Sequence, residues 1–244
     1  MILGDIAKKA RSLTHTDITS YPDAALLIDI NIWYQKASTM ILESADEADF
    51  DDARNTDYPI LTQLLVAGQR DYPIPVANKV LKIKRLDIAY DGTNYVKAEP
   101  IDDGEMNFGM GSDSTTDKNF FRQVPRYDVK YNSFFLYPMP NSDDVASGAT
   151  IRVEWDRQVT PFTVSDYTSV LTDSTVVPGF DDPFHPILAF GPAWEYAVAQ
   201  QLPNSAAILQ MLSDYESRMR IAYSRKVLDR RLKMSSFLDD NYGR

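Results

Sequence analysis

The chain contains no cysteine. Disulfides, thiol nucleophiles and thiolate metal sites are therefore excluded, and the redox compartment leaves no mark on the sequence. Histidine is nearly as scarce: His15 and His185 stand far apart among 244 residues. Zinc needs three or four soft or imidazole ligands, and no such spacing exists. Long apolar runs are missing too. None approaches the roughly 18 residues of a membrane span. The opening "MILGDIAKKARSLTHTD" is too short and too polar for a signal peptide. A soluble protein made in the cytoplasm is the expectation. Positive charge is in deficit: 25 Lys and Arg against 35 Asp and Glu give a net charge of −10. As a whole, such a chain has no electrostatic footprint for gripping nucleic acid.

What is present is a 44% hydrophobic chain, enough for one large domain or two small ones. Its period changes twice. In "SYPDAALLIDINIWYQKASTMILESA", Ser20 and Asp23 are candidate caps and Pro22 suits a first turn. Leu27, Ile30, Tyr34 and Ile41 share a helical face, flanked by Trp33 and Met40. So broad an apolar surface is more than a surface helix needs. From about residue 67 the period becomes two. "KVLKIKRLDIAY" alternates, "DGTN" supplies a turn, "PRYDVKYNSFFLYPMP" reads as two strands around Tyr131 and Asn132, and "ATIRVEWDRQV" alternates again. The Gly-rich stretch at about 103–119 reads as an exposed loop. Helical spacing returns at Ile187, Phe190, Trp194 and Val198 and breaks at Leu202-Pro203. Asn204 or Ser205 can cap a last helix with a stripe of Leu209, Leu212, Met219, Tyr223 and Val227. The expected class is α+β: a helical bundle formed by both ends of the chain, with an inserted antiparallel β-sandwich or barrel-like domain. Its expected parts are an N-terminal piece of the bundle (1–66), the β-domain (67–175), a helix pair (176–233) and a docking tail (234–244).

No residue set reads as catalytic. His185 precedes Pro186 at a helix start, where histidine caps or packs. Asp181 and Asp182 suit the positive end of a helix dipole. Glu154 and Asp156 share one face of an alternating strand, the pattern of a solvated face rather than an acid–base pair. Asp102, Asp103 and Glu105 are acids in a loop. "DEADFDDARNTD" has the acid density of a calcium loop without its glycine or its D-x-D-x-D-G spacing, and it reads as a solvated loop. "FGMGS" lacks the Lys-Ser/Thr of a phosphate loop. No metal and no cofactor are expected. One charge asymmetry stands out: Arg218, Arg220, Arg225, Lys226, Arg230, Arg231 and Lys233 cluster near the C-terminus. Phe237, Leu238 and Tyr242 follow as isolated anchors in a polar segment. The two readings are a solvated helix end and a tail that orders on a partner.

In order along the chain, these phrases resemble the head-to-tail adaptor proteins of tailed bacteriophages. The pattern runs from "YPDAALLIDINIWYQKASTMIL" through "DYPIPVANKVLKIKRLDI" and "PRYDVKYNSFFLYPMP" to "IRVEWDRQVTPFT" and "VPGFDDPFHPILAFGPAWEYA". It covers about residues 20–230 and consists of fold-level residues rather than chemistry. The Gly-rich loop and the tail after 233 are longer than in shorter family members. The resemblance implies a non-enzymatic virion protein of the neck: a ring of twelve identical subunits below the portal, joining the capsid to tail or nozzle proteins. Genomic DNA would pass through it without sequence-specific binding, and no membrane is involved. It also implies that the C-terminal segment inserts between portal subunits. Three other readings stand beside it. One is a different neck component, such as a stopper or tail terminator. Another is a carbohydrate- or receptor-binding β-module using Tyr95, Tyr127, Tyr131 or Trp155 as stacking platforms. The last, an acid-dependent hydrolase, has little support.

Overall fold

The computed structural model describes residues 1–44, 50–74, 80–101, 125–137 and 139–225. The chain is mixed α+β and divides into two compact units, one of residues 1–54 with 161–244 and one of residues 55–160.

The first unit is helical. It contains α1 (Leu3–Thr14) and α2 (Asp23–Ser44) from the start of the chain. The helices called α4 (Ile187–Ala199) and α5 (Ser205–Arg225) come from its end. Leu3, Ile6, Ala7, Ala10 and Thr14 recur every three or four residues in α1 and are buried, while Lys8 and Lys9 are exposed. Each large aliphatic side chain so buried contributes about 1.5–3 kcal/mol. His15 closes α1 in the left-handed conformation (φ 55°), its N–H donating to Arg11 O. His15 is thus the end of an ordered helix. Arg11 is 7% exposed and donates to Asp23 at 2.7 Å and to the Tyr21 carbonyl. Asp23 also accepts the Leu171 N–H, so one carboxylate ties the start of α2 to α1 and to the turn at Leu171–Asp173.

In α2 the predicted face is buried: Leu27, Ile30, Trp33, Tyr34, Met40 and Ile41. Gly191 of α4 lies against the Trp33 indole, where a Cβ would come within 2.0 Å of the ring. Trp33 Nε1 donates to Glu195 Oε1 at 2.9 Å. The stripe of α5 differs in one position from the expectation. Ile208, Leu212, Met219 and Tyr223 are buried, whereas Leu209 is exposed. Asn204 turns its side-chain amide to Leu13 O rather than capping its own helix. Val227 lies outside the described residues.

The second unit holds two four-stranded sheets. One runs β1 (Ile60–Leu64), β8 (Thr150–Arg157), β3 (Val80–Ala89), β4 (Val96–Lys97). The other runs β2 (Asp71–Pro73), β7 (Ser133–Tyr137), β6 (Arg126–Lys130), β5 (Glu99–Pro100). Among the described residues neither closes into a barrel, which corrects the barrel-like alternative. The pairing is antiparallel except between β5 and β6, where Glu99 pairs parallel with Arg126. A five-residue helix, α3 (Ser142–Ala146), links β7 to β8 behind an Asn141–Asp144 capping box. Tyr72, Leu86, Ile88, Phe134, Leu136, Ile151, Val153 and Trp155 come from both sheets and share one buried cluster.

The unit's edges fall at 54/55 and 160/161 rather than at the expected 66/67 and 175/176. Hydrogen bonding and packing explain both shifts. β1 pairs with β8, Leu61 opposite Val153, so residues 60–64 belong to the sheet. Phe162 exchanges backbone hydrogen bonds with the Asn31 amide and stacks on Tyr34 at 5.0 Å, so the chain after 160 belongs to the helices.

Candidate functional site

His185 ends the short turn Asp182–Phe184, set by Pro183 before it and Pro186 after it. Its ring is 1% exposed and lies edge-on to Phe180 at 5.1 Å. Nε2 sits 2.7 Å from Phe180 O. A carbonyl only accepts, so Nε2 carries the proton. Nδ1 is then free to accept from the Met1 amine at 2.9 Å, and the same amine donates to Asp182 Oδ1 at 2.7 Å. Burial is the main cause that pushes the imidazole below its usual value, and the adjacent Met1 ammonium adds to it; the Phe180 carbonyl and Asp182 act the other way. A neutral ring with both nitrogens engaged by neighbouring groups joins the start of α1 to the start of α4.

The pH dependence follows. The folded pKa lies below the ordinary value of about 6.5, so protons bind the unfolded chain more tightly. The stabilisation is whole above about 6.5 and is lost as pH falls from there through the folded value. Melting followed from pH 8 to pH 5 (chosen to bracket about 6.5) should show a decline in Tm for the parent. His185→Gln should show a flatter profile and a lower Tm at the alkaline end. Parallel profiles would mean that His185 titrates as it does in the unfolded chain.

The basic cluster is brought together only in part. Arg218 Nε and an Arg218 terminal nitrogen pair with Asp214 at 3.1 and 2.8 Å, one helical turn away. Arg220 lies 3.8 Å from Glu43 of α2, and Lys36 lies 3.3 Å from Glu216. These pairs lie at the surface and are worth little. Arg225 is the last residue of α5. Lys226, Arg230, Arg231, Lys233, Phe237, Leu238 and Tyr242 lie outside the described residues.

The acidic candidates scatter. Asp102, Asp103 and Glu105 lie outside the described residues. Glu154 is half-buried and pairs across the sheet with Ile60 and Arg85. Asp156 is not solvated, as the alternating pattern suggested. It is 7% exposed and meets Lys84 at 2.9 Å. The acidic stretch before β1 is also less solvated than expected. Asp52 is 2% exposed and accepts the Arg54 N–H. It packs so closely on Gly179 that a Cβ there would overlap its carboxylate. Among the described residues no group of three or more His, Asp or Glu could hold a metal ion, and no helix is long and apolar enough to cross a membrane. The aromatic candidates form no common platform. Trp155 is core, Tyr127 meets buried Phe134 edge-on, Tyr95 lies under the Arg152 guanidinium and Tyr131 is fully exposed at its hairpin.

One charged cluster was not foreseen. Asp87 on β3 is 1% exposed on the face of its sheet away from the apolar core. Its Oδ1 accepts from Arg85 Nε at 2.7 Å, and its Oδ2 accepts from two Arg152 nitrogens at 3.2 and 2.7 Å. Arg152 also covers the Tyr95 ring at 4.4 Å, and Tyr95 OH meets Thr150 Oγ1 at 3.0 Å. The residues come from two strands 65 positions apart. Only register brings them together, and the single sequence signal is the alternation of "KIKRLD", which marks a strand and not a charged cluster. No family model matches the chain, and no curated protein matches it.

Proposed function

We propose that the chain is a structural subunit of a head-to-tail adaptor: a ring of twelve copies seated below a portal, joining capsid to tail and letting DNA pass. What supports the reading is the division of the chain. Residues from both ends make one helical unit and the middle makes a separate β-unit, the organisation expected from the two changes of period and compatible with the order of phrases on which the resemblance rests. The same reading takes the finer architecture as a bundle carrying an inserted sandwich, its two sheets facing each other across the shared core. His185 adds to it, since its ring nitrogens face neighbouring groups of the fold and so serve packing rather than proton transfer. In this role the chain is not an enzyme and needs no cofactor. Arg218, Arg220 and Arg225, with Lys226, Arg230, Arg231, Lys233, Phe237, Leu238 and Tyr242, form the portal-docking segment. A different neck ring, stopper or terminator, is the second reading, and binding order separates the two.

The test is direct. Mixed with DNA-filled heads that carry a portal and no neck, the purified protein should join them as a ring on the portal, visible by electron microscopy. Protein that leaves such heads bare, but binds heads already carrying another neck ring, is a stopper or terminator instead.

A further inference from the structure

The outer face of the β1–β8–β3–β4 sheet runs against the charge of the whole chain. Residues directly opposite one another in a ladder share a face. Asp87 pairs with Arg152 and with Lys97, Arg85 with Glu154, and Lys82 with Asp156. Lys84 sits at a register irregularity and reaches Asp156. The face thus gathers the cations Lys82, Lys84, Arg85, Lys97 and Arg152. Against them stand the acids Asp87, Glu154 and Asp156. It is net positive in a chain of net charge −10, so the rest of the chain holds more than the whole acidic excess. The two guanidiniums are preorganised. Buried Asp87 fixes both, while Arg85 and Arg152 stay 49% and 39% exposed. Among the described residues their remaining N–H groups have no other acceptor. Such forks match carboxylates in a fixed geometry. Ile60 and Leu64 of β1 stand on the same face, opposite Glu154 and Thr150, and are also exposed.

We infer that this face docks on the acidic surface of a second copy of the chain and is the cationic half of the contact between neighbouring subunits. The inference rests on the ring reading and deepens it. Charge complementarity selects the occupant: the chain carries both halves, a small positive face and a large negative remainder. A face that matches a different surface of its own copy makes a heterologous contact, the kind that builds a ring where its rotation closes and a filament where it does not. Duplex DNA suits it less. The acidic remainder repels phosphates, Asp87 already neutralises part of the face, and Ile60 and Leu64 need apolar cover.

The experiment is sedimentation of the full chain over a concentration series, at about 50 and about 500 mM salt, between which screening of exposed charges becomes nearly complete. Two variants accompany the parent. Lys82→Gln with Lys97→Gln removes two exposed cations and leaves Asp87 paired. Arg85→Gln, Asp87→Asn and Arg152→Gln together remove the forks without stranding a buried charge. The parent should form rings that weaken with salt. The lysine variant should associate about threefold to tenfold more weakly at an unchanged Tm, as loss of charges from a contact rim does. The triple variant should be weaker still; if it fails to fold, the lysine pair decides alone. Rings that form equally well in parent and lysine variant would overturn the inference and leave the ring reading standing. A parent that stays a single chain up to about 200 μM, weaker than any stable interface, overturns the inference, while attachment to heads tests the ring reading separately. Salt-sensitive binding of duplex DNA, lost in the triple variant and without self-association, would assign the face to nucleic acid and overturn it too.

Discussion

Gly191→Ala is expected to destabilise the helical unit by about 2 kcal/mol. Alanine normally favours a helix interior by about 1 kcal/mol over glycine, so the ordinary expectation is a gain. Here the new methyl would lie 2.0 Å from the Trp33 indole, and Trp33 has nowhere to go. It is 1% exposed, its Nε1 is held by Glu195, and the Lys36 ammonium lies 3.8 Å from the ring centre. Overpacking of this kind costs about 3 kcal/mol at its upper range, which outweighs the propensity. For a chain of this size the Tm should fall by about 4–8 °C. Trp33→Leu in the same background should give part of the loss back, because the two positions share one space and their effects do not add. An alanine variant as stable as the parent would mean that α2 and α4 do not approach so closely.

In the proposed adaptor role, truncation after Ser235 is expected to reduce attachment to DNA-filled heads more than about thirtyfold. One buried aromatic anchor is worth about 2 kcal/mol or more in such contacts, and the cut removes Phe237, Leu238 and Tyr242 at once. The described core ends at α5, where Met219 and Tyr223 are its last buried residues. Melting of the truncated protein should therefore match the parent. The pairing of these results is what matters: normal Tm with lost attachment assigns the segment to docking. Truncated protein that joins heads at full occupancy removes the segment from that role. The exposed apolar residues Ile28 and Ile32 of α2 then become the better anchors.

Legibility tracked residue size and distance. α2 was visible because its buried positions are mostly large and repeat from Leu26 to Ile41, over about four turns. The hairpin around Tyr131 was visible because its strands adjoin. α1 was not, since Ala7, Ala10 and Thr14 do much of its packing and register weakly as an apolar stripe beside Lys8, Lys9 and Arg11. Leu209 and Ile208 differ by a single position, about 100° around the helix, which periodicity alone does not resolve. β1 was missed because "ILTQLL" also fits a helix, and its partner strand lies some 90 residues on, Leu61 opposite Val153. The Asp87 cluster was missed for the same reason, as cross-strand register is a property of the fold. Asp52 and Asp156 read as solvated because acids usually are. Nothing local announces that Gly179 or Lys84 will cover them.

The discontinuous helical unit has a consequence for biosynthesis. Residues 55–160 form one continuous stretch and can fold as soon as they leave the ribosome. The helices α1 and α2 cannot bury Trp33 or Ile30 until α4 and α5 have been made. At about 5–20 residues per second, the start of the chain waits roughly 10–40 s for its end. Throughout that interval the apolar face of α2 is a target for holding chaperones and for the same face of another nascent chain. Slow synthesis should therefore lower the yield of the helical unit more than that of the β-unit.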